Sequence, residues 1–265
     1  MSTLKSALQL TSPGRFHALA LRLVPWFAAA ALVFALAGLY VGFIVAPSDA
    51  QQGEVYRIIY IHLPAAWMSM FLYLVAGIYA VLTLVFYTRV SAIMVRALLP
   101  TGAMFTAAAL LTGAVWGRPT WGTYWVWDAR LTSELILLFI YLGLIALADA
   151  IEDVGKSDKA LALFTLAGVI NIPVIYFSVH WWNTLHQGAS ISMSAAPRMA
   201  GIMLTGVGLM SLAAWAYSAA VVLTRAAHLI ERREAEARWV AQMDEDSNED
   251  PDEDPAGFAE AAEAD

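Results

Sequence analysis

Cysteine is absent from all 265 residues. Its absence excludes disulfides, thiolate nucleophiles, thiolate metal ligands and covalent cofactor attachment through the chain's own thiols. A cysteine-free chain can face an oxidising compartment without risk. Charge is scarce as well. Asp, Glu, Lys and Arg supply 14% of the residues against 60% hydrophobic, which excludes an ordinary soluble domain. There is no glycine-rich phosphate loop, so any ATP use falls to partners. No internal repeat is visible, and nothing supports nucleic-acid binding.

What charge there is sits unevenly. The net charge is −7, yet residues 231–265 hold fourteen acids and three arginines, and residues 1–230 hold twelve Lys or Arg and eight acids. The acid is a tail of the type Asp-Glu-Asp-Ser-Asn-Glu-Asp, with no apolar surface to bury. It reads as a disordered, solubilising segment.

A spanning helix needs about 20 apolar residues. Six segments qualify: about Pro25 to Val45, Ala65 to Tyr87, Val95 to Val115, Leu131 to Ala150, Ala160 to Phe177 (with a kink expected at Pro173) and Ala200 to Leu223. The first apolar run is too long for a cleaved signal peptide and lacks a small-residue cleavage site. The expected fold class is an all-α membrane protein of six transmembrane helices. Its parts are an N-terminal segment 1–24, a membrane domain 25–224, and a helix extension with acidic tail 225–265.

Eleven Lys or Arg fall on one side of these spans: Lys5, Arg15, Arg22, Arg89, Arg96, Lys156, Lys159, Arg225, Arg232, Arg233 and Arg238. Four fall on the other: Arg57, Arg118, Arg130 and Arg198. The positive-inside rule then makes both termini cytoplasmic. Three loops face outward, about 46–64, 116–130 and 178–199, and they carry the unusual chemistry.

The densest of these is Trp116-Gly-Arg-Pro-Thr-Trp121-Gly-Thr-Tyr-Trp125-Val-Trp127, followed by Asp128, Arg130 and Thr132. Four of the ten tryptophans fall in these twelve residues. Tryptophan is enriched at bilayer interfaces in general. An ordinary aromatic belt, however, needs neither Gly117, Pro119 and Gly122 between the rings nor an acid and a base directly after them. A floor of flat aromatic faces edged by charge suits a large, flat, mostly apolar ligand with acidic arms, and haem is the candidate.

His62, His180 and His186 all fall in outer loops or at their helix junctions, whereas His17 and His228 lie beside basic residues on the other side. A lone interfacial histidine is as a rule a hydrogen-bonded structural residue. Two on the face that carries the tryptophans make a case for axial ligation of one iron, since neutral imidazole is a common haem ligand. His62 and His186 are favoured over His180. A zinc site is the competing reading, but His180 and His186 are not a helical i, i+4 pair and no carboxylate lies beside them. Among the outer cations, Arg57 and Arg130 are favoured as partners for carboxylate arms. Asp128 either orients a ligand or pairs with Arg130. Glu134, one turn into the fourth helix, is a costly acid at membrane depth that organises the loop from below or lines a route.

The stretch Trp116 to Thr132 resembles the tryptophan-rich WWD signature of the haem-handling superfamily. Together with Gln51-Gln52-Gly53-Glu54-Val55-Tyr56-Arg57-Ile58-Ile59-Tyr60-Ile61-His62, Leu131-Thr-Ser-Glu134-Leu and Trp181-Trp-Asn-Thr-Leu-His186-Gln-Gly188, it is similar to the haem exporter protein C (CcmC) family of bacterial cytochrome c maturation. The resemblance covers roughly residues 20–230. It implies a six-helix inner-membrane protein with a periplasmic haem b site. The axial ligands of that site fall on His62 and His186, with Trp116, Trp121, Trp125, Trp127, Asp128, Arg130 and Arg57 around it. It implies a haem-binding and transfer protein rather than an enzyme. Such a protein presents haem to a periplasmic chaperone (CcmE) beside an ABC-type ATPase and permease (CcmA and CcmB) and a small single-helix subunit (CcmD). A haem lyase acting directly on apocytochrome, or a haem-conducting permease, are the alternatives. The acidic tail and His180 lie outside the shared pattern.

Overall fold

Proline, glycine and two aspartates set the helix boundaries in this chain. The computed structural model describes residues 12–182, 184–186 and 199–249. Arg198, Asn183, Gly188 and the acidic run from residue 250 onward lie outside the described residues.

Helix α1 (Pro13–Tyr40) opens with proline at its first turn, where the missing N–H costs nothing. It runs into a single π-helical turn, Val41–Val45. A short 3-10 turn, Glu54–Ile58, leads into α2 (Ile59–Phe86). Only Tyr87 and Thr88 separate α2 from α3 (Arg89–Trp121), so these two helices form an antiparallel hairpin. Helix α4 (Ala129–Ala150) starts on Asp128, whose carboxylate accepts from Leu131 N–H at 2.8 Å. Helix α5 (Val154–Gly168) starts in the same way on Asp153, which accepts from Lys156 N–H at 2.7 Å. Each such N-cap is worth about 1 kcal/mol.

Helices α5 and α6 (Asn171–Trp181) together make one span, Val154–Trp181, broken at Val169 and Ile170. The expected kink at Pro173 is therefore found four residues earlier, for a physical reason. Proline has no N–H for the carbonyl of residue 169, and its ring would clash with that carbonyl in a regular helix. Val169 O instead accepts from Ile172 N–H at 3.0 Å. The last helix, α7, runs Gly201–Glu249 and carries the expected continuation beyond the span.

Six helices are long and apolar enough to cross a membrane: Pro13–Val45, Glu54–Phe86, Arg89–Trp121, Ala129–Ala150, Val154–Trp181 and Gly201–Trp239. No strand occurs among the described residues. The chain is a multi-pass, all-α membrane protein. The spans extend beyond the apolar runs, because helix continues into segments expected to be loop. Ile59–His62 belongs to α2, and Trp116 and Trp121 belong to the last turns of α3.

Helices α2 and α3 are the most buried. On one side they pack against α7 through residues such as Ala76, Ile93, Ala97, Val222 and Ala226. On the other they pack against α4, α5 and α6 through Tyr73, Leu99, Leu137, Tyr141, Leu161 and Ile175. Without a hydrophobic drive between helices in lipid, packing and interhelical hydrogen bonds decide the arrangement, at roughly 0.6 kcal/mol per bond. Tyr73 donates to Thr165 O at 3.0 Å, and Tyr141 donates to Ser69 O at 2.8 Å. Asn171 donates to Ser133 O at 3.0 Å. At the end of the helices remote from the tryptophans, Asp158 of α5 bridges Arg96 of α3 (2.9 Å) and Arg233 of α7 (2.8 Å). Helix α1 packs mainly against α7 and turns Trp26, Leu32, Val33 and Leu36 outward.

Candidate functional site

The tryptophan stretch folds as a helix end and a return loop. Helix α3 stops at Gly122, which has φ +81°, a conformation that favours glycine, and whose N–H reaches Arg118 O at 3.0 Å. The Arg118 side chain donates to Gly122 O and lies over the Tyr124 ring, 5.7 Å from its centre. Thr123 then donates to Trp125 O at 3.0 Å. This fold brings Trp116, Trp121 and Trp125 to one side, where they wall a cavity of about 730 Å³, part of it open to solvent. His62 of α2, His186, Arg130 and Glu134 of α4, and Gln52 complete much of the lining.

His62 is held by α3. Its Nδ1 lies 3.0 Å from Thr112 Oγ1. The Thr112 hydroxyl hydrogen is already committed to Ala108 O at 2.6 Å. A hydroxyl has a single hydrogen, so in the contact with His62 its oxygen accepts and the imidazole Nδ1–H donates. That tautomer leaves Nε2 as the nitrogen able to ligate a metal. The ring can lie this close to α3 because residue 113 is glycine: a Cβ there would stand 3.0 Å from His62 Cε1. The edge of the ring also meets Trp116, with centroids 5.6 Å apart and planes at 80°.

His186 is held from α4. Its N–H donates to Thr184 Oγ1 at 3.0 Å, and the Thr184 hydroxyl donates to Asp128, the residue that caps α4. One carboxylate therefore fixes both the start of α4 and the loop that carries His186. The His186 ring lies 6.1 Å from that of Trp121.

Two cations were singled out from sequence, and only one reaches the cavity. Arg130 lines it, with Nη1 donating to Ile175 O at 2.9 Å, which ties α4 to α6. Arg57 does not. It donates to Gly42 O at 2.6 Å and Ala46 O at 3.0 Å and pairs with Glu54. The carbonyls at the end of a helix lack intrahelical donors, so a nearby guanidinium is drawn to them. Trp127 is exposed and packs edge-on against Trp125 instead of lining the cavity. Asp128 forms no ion pair with Arg130 among the described residues, and its carboxylate is spent on Leu131 and Thr184. His180 is exposed on the last turn of α6, away from the cavity lining.

Gln52 and Glu134 complete the polar part of the lining. Gln52 accepts from Trp116 Nε1 at 2.7 Å. It is placed by a small turn in which Asp49 accepts from the backbone N–H groups of Gln51 and Gln52. Glu134 is buried at the cavity wall and accepts from Ser69 at 2.7 Å.

One observation bears directly on the ligand. Trp125 Nε1 is buried and has no hydrogen-bond partner among the described residues, and Trp125 lines the cavity. A buried donor left unpaired costs about 1–3 kcal/mol. Its presence at a cavity wall fits a ligand that brings an acceptor. The donor set of two imidazoles, an unpaired indole N–H and a guanidinium fits a metal macrocycle with acidic arms.

Comparison with known proteins gives the family. The family model for Heme exporter protein C (CcmC) matches residues 6–241. The chain belongs to this family. It is 43% identical to Heme exporter protein C of Escherichia coli (strain K12) over 241 residues, 90% of this chain and 96% of that protein. It is 51% identical to Heme exporter protein C of Bradyrhizobium diazoefficiens over 184 residues, 69% and 70% of the two chains. It is 42% identical to Heme exporter protein C of Haemophilus influenzae over 227 residues, 84% and 90% of the two chains.

Proposed function

We propose that this chain takes part in haem transport for cytochrome c maturation by binding haem b in the tryptophan-walled cavity, with His62 and His186 as axial ligands. The observation that carries this reading is that both histidines, from separate segments, line the same cavity as Trp116, Trp121 and Trp125. Haem supplies the iron and the reactive periphery; the protein supplies ligation, orientation and a docking face. Thr112 holds His62 in the tautomer that leaves Nε2 for the metal. Asp128, through Thr184, holds His186. Arg130 and the Trp125 indole N–H stand as donors for propionate oxygens. The aromatic walls offer stacking area, and the exposed Trp127 and Tyr124 offer a surface for the protein that receives the haem.

In this reading the chain sits in a bacterial inner membrane with both termini cytoplasmic and the cavity periplasmic. It presents haem to a chaperone (CcmE) and works beside CcmA, CcmB and CcmD, which supply the ATPase, the permease and a small helix. It performs no hydrolysis itself. The test is the optical spectrum of the purified protein. The parent should carry low-spin haem with two histidine ligands. His62→Ala and His186→Ala should each change the ligation spectrum or lose haem, and His180→Ala should not. Parental spectra from both variants would remove the assignment.

A further inference from the structure

A second groove lies at the opposite end of the helices, between α1 and α7. It is lined by Val24 and Ala28 of α1 and by Ala220, Val221, Arg225 and Arg232 of α7, among others. Its space is about 940 Å³, much of it open to the surroundings. On α7, positions 221, 225, 228, 229 and 232 follow the i, i+4, i+7 spacing of one helix face. The small side chains Ala28 and Ala220 take up little of the space along it.

Its depth is set by α3. Arg225 Nη1 donates to Ala97 O at 2.6 Å and to Thr101 Oγ1 at 2.9 Å. From Ala97 to Gly117 on α3 is about 30 Å at 1.5 Å per residue, the thickness of a hydrocarbon core. Arg225 therefore stands at the boundary between hydrocarbon and headgroups, on the side remote from the tryptophans. Arg232, two turns further along α7, stands among headgroups. The Nε and Nη2 of Arg225 make no hydrogen bond among the described residues. Two carboxylates lie near the rim. Glu231 is taken by His17 (2.8 Å) and His228 (3.2 Å), and Glu236 reaches Arg232 only at 3.9 Å with both side chains largely exposed. A guanidinium at that boundary with an open edge, beside an apolar channel, calls for an anion that carries its own apolar tail.

We infer that this groove binds an anionic phospholipid, its phosphate on Arg225 and Arg232 and one acyl chain along Val24, Ala28, Ala220 and Val221. Basic pockets between membrane helices hold such headgroups, and each basic residue near the surface contributes about fivefold in affinity. The site is independent of the haem cavity, and its test does not involve haem.

The experiment uses the purified full chain in detergent, stripped of native lipid, with intact-complex mass spectrometry as the readout. The probes are phosphatidylglycerol, phosphatidylcholine of the same acyl chains, and inorganic phosphate. Phosphatidylglycerol should bind in preference to phosphatidylcholine. Arg232→Gln should weaken it about fivefold, and Arg225→Gln at least as much. Because Arg225 also anchors α3, Ala28→Trp is the second arm: it fills the channel, leaves every charge in place, and should abolish binding. Equal binding of the two lipids overturns the inference, as does unchanged binding in both Arg232→Gln and Ala28→Trp. Full displacement of phosphatidylglycerol by inorganic phosphate at millimolar concentration overturns it too, since the groove would then hold a free anion.

Discussion

Replacing Thr112 by valine keeps the shape of the side chain and removes the hydroxyl oxygen that faces His62 Nδ1 at 3.0 Å. The helix itself loses little, because Thr112 uses its hydrogen on Ala108 O, with a longer contact to Ala109 O at 3.3 Å, both within its own turn. What changes is the imidazole. Its Nδ1–H is left facing a methyl group in a half-buried setting, and a donor left unpaired there costs about 1–3 kcal/mol. The ring can escape by rotating or by exchanging the proton to Nε2, and either change withdraws the ligating nitrogen. Loss of an outer-shell partner of a metal-binding histidine typically lowers metal affinity 10–100-fold, or about 1.4–2.7 kcal/mol, so the two routes agree. The assay is haem titration of the purified protein by optical spectroscopy, with the midpoint potential of the bound haem as a second readout. Thr112→Val should bind 10–100-fold more weakly with a shifted potential, and Thr112→Ser should restore both. If Thr112→Val keeps parental affinity and potential while His62→Ala loses haem, the hydroxyl does not orient the ligand and the tautomer argument is wrong.

Asp128→Ala should remove the α4 cap, worth about 1 kcal/mol, and free the Thr184–His186 segment. Haem retention and thermal stability should fall together, whereas Asp128→Asn, still a good cap, should keep most of both. Arg130→Ala should disturb haem orientation more than Trp121→Ala, since several rings share the wall but Arg130 is the one cation in the lining among the described residues. Near-infrared and visible spectra with measured haem occupancy decide this, and complete haem loss in Trp121→Ala alone would reverse the ranking. Asp158→Ala leaves Arg96 and Arg233 facing each other at the opposite end. It should cost roughly 3 kcal/mol, read as a lower unfolding midpoint in detergent, with haem binding in folded protein unaltered. Reporter fusions at residues 50 and 120 should read periplasmic, and those at 92, 155 and 245 cytoplasmic; a cytoplasmic signal at 120 refutes the orientation.

The six spans were legible because hydrophobic length is a strong signal that needs no partner to interpret. Their ends were not, because helix continues wherever backbone groups still find carbonyls. Ile59–His62 lies against a stretch of polar residues and Arg118–Trp121 holds an arginine and a proline, so neither reads as part of an apolar span, yet both are helical. The break before Pro173 was visible as a proline but not as a position, since the strain falls on the carbonyl four residues back. The extension of α7 was legible from its ion-pair spacing, and the pair Arg232–Glu236 realises it.

Within the site, the residues with unusual chemistry could be named from sequence, but their assignments depended on where competing partners lie. Arg57 and Arg130 look alike in sequence: each is an outer arginine close to an aromatic or histidine motif. One is captured by the carbonyls of Gly42 and Ala46, the other enters the cavity. Asp128 looked like a partner for Arg130 because they are two residues apart. Cap geometry turns its carboxylate back onto Leu131 instead, and the remaining oxygen meets Thr184, 56 residues away. Thr112 and Gly113 gave no signal at all, because their role exists only once α2 lies against α3. The same packing explains why the two histidines are supported so differently. His62 sits on a helix and needs only its ring fixed, which one hydroxyl can do. His186 sits in a loop and needs its backbone fixed first, which takes a carboxylate already anchored to a helix terminus. A ligand carried by a rigid helix paired with one carried by a tethered loop suits a site that must bind haem and also let it go. If His186 is the ligand that lets go in the proposed haem site, Asp128→Ala should speed haem release more than it weakens the contact at His62, because Asp128 holds His186 only through Thr184.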